Sequence, residues 1–388
     1  MTDFAATREM FHLPEGVVYL DGNSLGPLPK AAVARIASCV TEEWGNTLIQ
    51  GWYKLNWMTM PGQIGDRIGR LIGAPKGSTV LGDTLSIKVY QALASALELR
   101  PDRKVILTDI NNFPSDLYMA EGLIRTLGRG HVLKKVAPED VEANIGPDVA
   151  VLLLTQADYR TARLHDMATL TAKAHAAGAL TIWDLAHTAG AMEIDVAGCD
   201  VDFAVGCTYK YLNSGPGGPA YIYVAPRMQA DVRPALSGWL GHETPFTFDT
   251  SYRPGSGIER MRVGTPPIIQ MAALEAAMDI WDTVDMKALR ARSIELTEAF
   301  IAGVEASCPT LVLGVPRDPA RRGSQVSFRH KDGGAIMHAM TARGVIGDFR
   351  TPDYLRFGFT PLFTTMDDVQ RAVAALAEVM VAHEAKAA

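Results

Sequence analysis

The run DVAVLLLT at 148–155 is apolar at almost every position, and a strand of that kind has to be covered on both faces. It leads into the helical pattern HDMATLTAKAHAAG and then into a second apolar run, LTIWD, at 180–184. KVILTD at 104–109 likewise precedes SDLYMAEGLIRTLG, and VDFAVG and PAYIYV follow farther on. Short apolar runs separated by helices of about ten residues or more predict right-handed βαβ crossovers and a mostly parallel sheet. The fold class expected is α/β, with a large domain built on that sheet and a smaller α/β domain behind it.

The C-terminal third reads differently. PPIIQMAALEAAMDIW carries its prolines at the start, where a helix tolerates them. A long helix over 285–306 follows, then strand candidates TLVLGV, SQVSFRH and YLRFGF interleaved with two further helical patterns. The chain of 388 residues exceeds one ordinary core, and the expected division is 1–260 for an N-terminal segment with the large domain and 261–388 for linking helices with the small one.

Composition excludes several classes. A net charge of −6 without a Lys/Arg run gives no footprint for nucleic acid, and no apolar stretch reaches the roughly 18 residues of a membrane span. The start, MTDFAATREMFHLPEG, does not read as a signal peptide. Four cysteines form no CxxC pair and no cluster with zinc spacing, so a reduced cytoplasmic setting without disulfides or zinc is expected. Neither a GxxxxGK[ST] nor a strand-borne GxGxxG is present, nor HExxH or GxSxG.

In an open parallel sheet, ligands bind beyond the carboxyl ends of the strands. The polar residues there are Asp184 and His187 after LTIW, Lys210 after VGCTY, Ser86 after STVLGDTL, and Phe113 and Ser115 in NNFPSD. These suit pyridoxal phosphate. Its aldehyde needs a lysine amine that can lose a proton, its ring nitrogen an anionic partner, and its phosphate helix N-termini and hydroxyls. Each residue also has a plainer reading: a strand-end Asp as a turn, a Tyr-Lys-Tyr lysine as snorkelling, a Ser as an N-cap. The ordered set favours the cofactor.

The motifs GNSLG, NNFPSDLY, TIWDLAHTAGA, YKYLNSGPGG, LSGWLGH and MRVGTPP together resemble those of the kynureninases, a family of fold-type I pyridoxal-phosphate enzymes in the class V aminotransferase group. The resemblance implies hydrolytic Cβ–Cγ cleavage of L-kynurenine to anthranilate and L-alanine. It makes Lys210 the Schiff-base lysine, Asp184 the ring-nitrogen partner and Tyr209 a proton-transfer residue that also reaches the phosphate. Leu85, Ser86, Phe113, Pro114, Ser115, Asp116 and His187 would surround the cofactor, with Phe113 stacked on its ring. Trp239 and Thr265 would be offered across a homodimer interface to the other subunit's phosphate. Arg356 would hold the substrate carboxylate, with Ser24 nearby, and Phe246 or Phe248 would pack on the substrate ring.

At 265 this chain has Thr where the family pattern allows Asn, and Trp52 falls where relatives acting on the ring-hydroxylated substrate carry His. Both changes offer a buried phenolic hydroxyl less than His and Asn would, so kynurenine is expected to be preferred over 3-hydroxykynurenine. Trp52 also reads as an interface packing residue. The alternatives left open are a cysteine desulfurase or selenocysteine lyase, an aminotransferase, and a cofactor-binding protein without activity. The first needs a cysteine on a mobile loop. Cys308 reads as a buried hydrophobe, and Cys207 as a strand residue that cannot swing.

Overall fold

The computed structural model describes residues 2–387. Its largest sheet has seven strands: β1 (Thr79–Leu81), β2 (Val105–Asp109), β3 (Val132–Val136), β4 (Val149–Thr155), β5 (Leu180–Asp184), β6 (Phe203–Gly206) and β7 (Tyr221–Val224). The spatial order is β1-β7-β6-β5-β4-β2-β3. All neighbours are parallel except β7, which runs antiparallel to both β1 and β6.

Strand period decides where the core sits. Leu152 and Leu154 of β4 join Trp183 on one face, against α1 (Met60–Leu71) through Ile64 and Ile68. Val151 and Leu153 point the other way, with Ile182 and Val205, against α2 (Leu85–Leu99) and α3 (Pro114–Leu127) through Leu93 and Leu123. Every residue of β4 is buried, because helices cover both faces. Between β4 and β5 runs α4 (Met167–Ala176), its N-terminus capped by the Asp166 carboxylate accepting from Thr169 N–H.

The helix expected over PPIIQMAALEAAMDIW is α5 (Ile268–Trp281). Met271, Leu274, Met278 and Trp281 pack it into the large-domain core, so core membership does not change over at 260/261. Next, α6 (Met286–Ser307) leads to a four-stranded antiparallel sheet of β8 (Val312–Leu313), β9 (Gln325–Arg329), β10 (Asp348–Arg350) and β11 (Tyr354–Gly358), in the order β8-β9-β11-β10. Helices α7 (Gly333–Thr341) and α8 (Met366–Ala387) complete the small domain. Its core centres on Phe300, whose ring lies 4.9 Å from Phe357 and 5.1 Å from Phe359.

Val18 and Leu20 belong to this second core, and Val18–Tyr19 pairs in parallel with Val345–Ile346. The chain then crosses to the large domain. Gly26 N–H donates to Tyr209 O at 2.8 Å, laying GNSLG over the Lys210 loop. Among the described residues no helix is long and apolar enough to cross a membrane.

Two local expectations are corrected. Cys207 lies just beyond β6 rather than inside it, because β6 ends at Gly206. Ser115 is the second residue of α3 and not its N-cap; Phe113 holds that position in an extended conformation.

Candidate active site

Three neighbouring strands deliver polar residues to one edge of the large sheet. Thr155 ends β4, Asp184 ends β5, and the two are register partners. Asp184 also lies opposite Val205 of β6, so the chain leaving β6 carries Tyr209 and Lys210 into the same crevice. Only 9% of Lys210 is exposed, and its Nζ lies 2.9 Å from His187 Nε2.

Burial, reinforced by the Lys210 charge, pulls the His187 imidazole well below its ordinary pKa. A neutral ring whose Nε2 faces the lysine follows, and His187 is then an acceptor for Lys210 Nζ. Burial pushes the Asp184 carboxyl up, while Lys210, the Ala186 N–H at 2.8 Å and the Thr155 hydroxyl at 3.5 Å favour its anion. Asp116, in the first turn of α3, is raised well above the usual carboxylate range by burial and by the neighbouring Asp184 charge. Two buried carboxyls side by side cannot both ionise, so Asp116 keeps a proton and Asp184 carries the charge. Among the described residues the fully enclosed Asp116 Oδ2 has no hydrogen-bond partner.

The wall opposite is aromatic. The Phe113 ring centroid is 5.7 Å from Lys210 Nζ, and the Tyr209 ring 6.0 Å. Phe113 is braced edge-on by Tyr159 at 5.2 Å. Its backbone is fixed by Asn112, whose Oδ1 accepts from Phe113 N–H at 2.7 Å and from Thr155 Oγ1 at 2.6 Å. The Asn112 amide donates in turn to Thr108 Oγ1 at 3.0 Å. The single Thr155 proton goes to Asn112 at 2.6 Å, so a buried chain of hydrogen bonds runs from Thr155, beside Asp184, through Asn112 to the backbone of Phe113. Tyr209 is held as a neutral phenol: Cys207, burial and Asp184 all raise it.

Leu85 and Pro114 open α2 and α3, and neither helix has a side-chain cap bond at its N-terminus. Ser86 and Ser115, one residue farther in, bring their hydroxyls within 3.0 Å of each other. Two uncapped helix N-termini with paired hydroxyls form an anion cradle. Beside it lie an amine, a buried carboxylate and a flat aromatic wall. This donor set fits pyridoxal phosphate.

Arg356, on β11, has only 1% of its surface exposed. Its Nε donates to Asp348 Oδ1 at 2.6 Å, its Nη2 to Asp348 Oδ2 and to Ser24 Oγ (3.1 Å), and its Nη1 to the Tyr159 carbonyl. The guanidinium expected to hold the substrate carboxylate is thus already engaged along its Nε–Nη2 edge by Asp348, with Ser24 Oγ donating to Asp348 Oδ2 at 2.9 Å. Asp348 is held below the usual range by the two arginines Arg356 and Arg350, against its burial. Asp21 beside it is pushed up to about 7 by burial and by the Asp348 charge.

Trp52, Trp239, Phe246, Phe248 and Thr265 fall elsewhere. Phe246 packs edge-on to Trp239 at 5.8 Å and to Phe248 at 6.4 Å, and tilts over Tyr53 at 6.2 Å. Trp52 lies edge-on to Trp57 at 5.3 Å, lining with Thr265, Trp44 and Ile49 a groove of about 510 Å³. They make up a surface cluster in two parts, the rings around Phe246 and the Trp52–Thr265 groove, and neither part includes Lys210.

Sequence reading missed Thr155, Asn112 and Asp348. Thr155 carried the same signal as Asp184, a polar residue closing an apolar run. Asp348 carried none, since its role arises only from the pairing of β10 with β11. The thiols argue against sulfur chemistry: Cys39, Cys207 and Cys308 are buried, Cys199 is half-buried, and burial pushes all four up.

Residues 289–376 match the family model described as Kynureninase C-terminal domain. A protein named Kynureninase from Pseudomonas fluorescens is 47% identical over 97% of this chain and 92% of its own. Another of that name from Deinococcus radiodurans is 47% identical over 97% of this chain and 93% of its own. Among solved structures, a cysteine desulfurase from Thermococcus onnurineus NA1 superposes with a TM-score of 0.83 at 18% identity, covering 98% of this chain and 99% of its own. A C-DES mutant with glycine covalently linked to its PLP cofactor gives 0.83 at 16% identity, covering 97% and 100%. At such low identity the two structures share the fold alone.

Proposed function

The chain belongs to the kynureninase family, and from that membership we propose how its residues divide the hydrolysis of L-kynurenine to anthranilate and L-alanine. It is a pyridoxal-phosphate-dependent hydrolase acting on a carbon–carbon bond. The observation that carries the assignment of residues is the Lys210–His187 pair at 2.9 Å, buried beside Asp184 at the ends of adjacent strands.

Pyridoxal phosphate supplies a carbonyl that takes up an amine and a ring that accepts the electrons of a carbanion. Ser86, Ser115 and the N-termini of α2 and α3 would hold its phosphate, Phe113 and His187 would hold its ring, and Asp184 would supply the anionic partner for its ring nitrogen. Lys210 Nζ is the anchoring amine and takes the substrate Cα proton. Neutral His187 supports this role as the acceptor at 2.9 Å that aims the Lys210 amine into the crevice. The Tyr209 phenol keeps its proton and is the donor to the fragment left when water adds to the γ-carbonyl and the Cβ–Cγ bond breaks.

Arg356 binds the substrate carboxylate. Asp348 already occupies its Nε and one Nη2 hydrogen, so the carboxylate gains the remaining Nη1 hydrogen and takes over the Nη2 bond now made to Ser24 Oγ. Ser24 is then freed to orient the substrate. This arrangement binds the acid group by sharing a charge cluster rather than by an unpaired guanidinium.

The surface cluster supports a homodimer whose active sites are shared. Leu48, Ile49, Tyr53 and Phe248 are at least 65% exposed, a contiguous apolar face that a second copy would cover. Leu48 and Phe248 hold positive φ of 49° and 50°, conformations that non-glycine residues keep when neighbours fix them. In such a dimer Trp239 and Thr265 reach the other subunit's phosphate. Trp52 and Phe248 line the substrate ring, and Trp52 offers a phenolic hydroxyl no acceptor. Kynurenine is accordingly the preferred substrate over 3-hydroxykynurenine. Comparing kcat/KM for the two tests this, and a clear preference for the hydroxylated substrate would overturn it. The four free thiols support a reducing compartment, the cytoplasm.

A further inference from the structure

Away from the crevice, three side chains of the small domain converge. His330 follows β9, Asp332 immediately precedes α7, and His383 lies near the end of α8. One ligand atom from each lies within 4.8 Å of the others. His383 Nε2 is 3.1 Å from Asp332 Oδ2, and His330 Nδ1 is 4.0 Å from the same oxygen. The imidazole rings meet edge-on with centroids 5.6 Å apart.

Asp332 gives the grouping its meaning. Asp3, Asp166, Asp285 and Asp318 each precede a helix and cap it through the side chain. Asp332 occupies the same position before α7 and makes no side-chain cap bond. Its carboxylate turns instead toward the two histidines, giving up the cap bond that the other four aspartates make. His330 Nδ1 accepts from the Asp332 N–H at 3.1 Å, a bond that an ion at this nitrogen would replace.

We propose that His330, Asp332 and His383 form a site for a divalent first-row transition ion, zinc foremost, with water completing the coordination. Zinc bonds of about 2.0–2.1 Å at tetrahedral angles set donor atoms about 3.3 Å apart. The His383–Asp332 edge already has that length, and the His330–Asp332 edge reaches it by a shift of roughly 0.7 Å. Two neutral imidazoles and one carboxylate are borderline donors that suit zinc over calcium or magnesium. The ion clips α8 to the corner between β9 and α7, and in this position it stabilises the small domain without entering the reaction.

The test uses the full-length, cofactor-loaded protein without a histidine tag, stripped of metal and titrated with Zn²⁺ by calorimetry, then with Co²⁺ followed by visible absorption. One ion per chain is expected, with a higher unfolding temperature when Zn²⁺ is bound. Asp332→Asn and His383→Ala, both at partly exposed positions, should bind at least about tenfold more weakly. They should also lose the temperature rise while keeping wild-type anthranilate release. Absence of saturable binding, or equal affinity in wild type and both variants, overturns the proposal.

Discussion

Lys210, His187 and Asp184 lie together, and the lysine charge acts on both of its neighbours. The Lys210 charge favours the Asp184 anion and disfavours protonation of His187. Replacing Asp184 by Asn removes the anion while keeping the shape. The expected result is loss of anthranilate release by about 10²–10³-fold, on the scale of other preorganised charge partners, with folding retained. Steady-state kinetics beside circular dichroism checks both parts. Asp21 gives a second residue-level prediction. Its folded value of about 7 against an ordinary 3.8 means that the folded state holds more protons between those two pH values. Stability therefore falls as pH rises from about 4 to 7 and levels off above. Asp21→Asn removes that loss, so its gain in unfolding temperature over wild type should grow across this window. A gain independent of pH would contradict the burial account.

At the scale of elements, the strand ends are what assemble the site. DVAVLLLT, LTIWD and VDFAVG were legible as strands because both faces of the sheet are covered, and their last polar residues were legible as ligands because strand ends open on the crevice. The Asn112 network was not legible, since NNF gives no sign of which Asn side chain turns inward to bind Phe113 N–H. Asn112→Ala leaves the Thr155 hydroxyl and the Phe113 N–H without their partner. It should lower stability by about 1–3 kcal/mol and kcat by more than stability alone explains, because Phe113 loses its fixed orientation. Denaturant unfolding beside kcat separates the two effects. Gly26 belongs to the same scale: a Cβ there would overlap the Lys210 carbonyl oxygen, which is why GNSLG can lie against the lysine loop. The paired state of Arg356 was equally hidden, because Asp348 reaches it only through the β10–β11 pairing, eight residues back along the chain.

For the whole molecule, the question is how a crevice on one chain is completed. The N-terminal segment passes from the small-domain core at Val18 and Leu20 to the Lys210 loop at Gly26, so the two cores are tied across the site. The apolar face around Leu48, Ile49, Tyr53 and Phe248 remains, and in this account a second copy covers it. Ile49→Asp places a charge in that interface. Light scattering should show a shift toward monomer, and activity should fall in parallel because Trp239 and Thr265 no longer reach the other subunit. A dimer that persists with full activity would contradict the shared site.

The most direct measurement is anthranilate fluorescence when the cofactor-loaded protein meets L-kynurenine, with Lys210→Ala run alongside. Steady release is expected from the wild type and a loss of at least about 10³-fold in the variant, because anchoring amine and general base are removed together. Equal release by both proteins, or none by the wild type with cofactor bound, would contradict it.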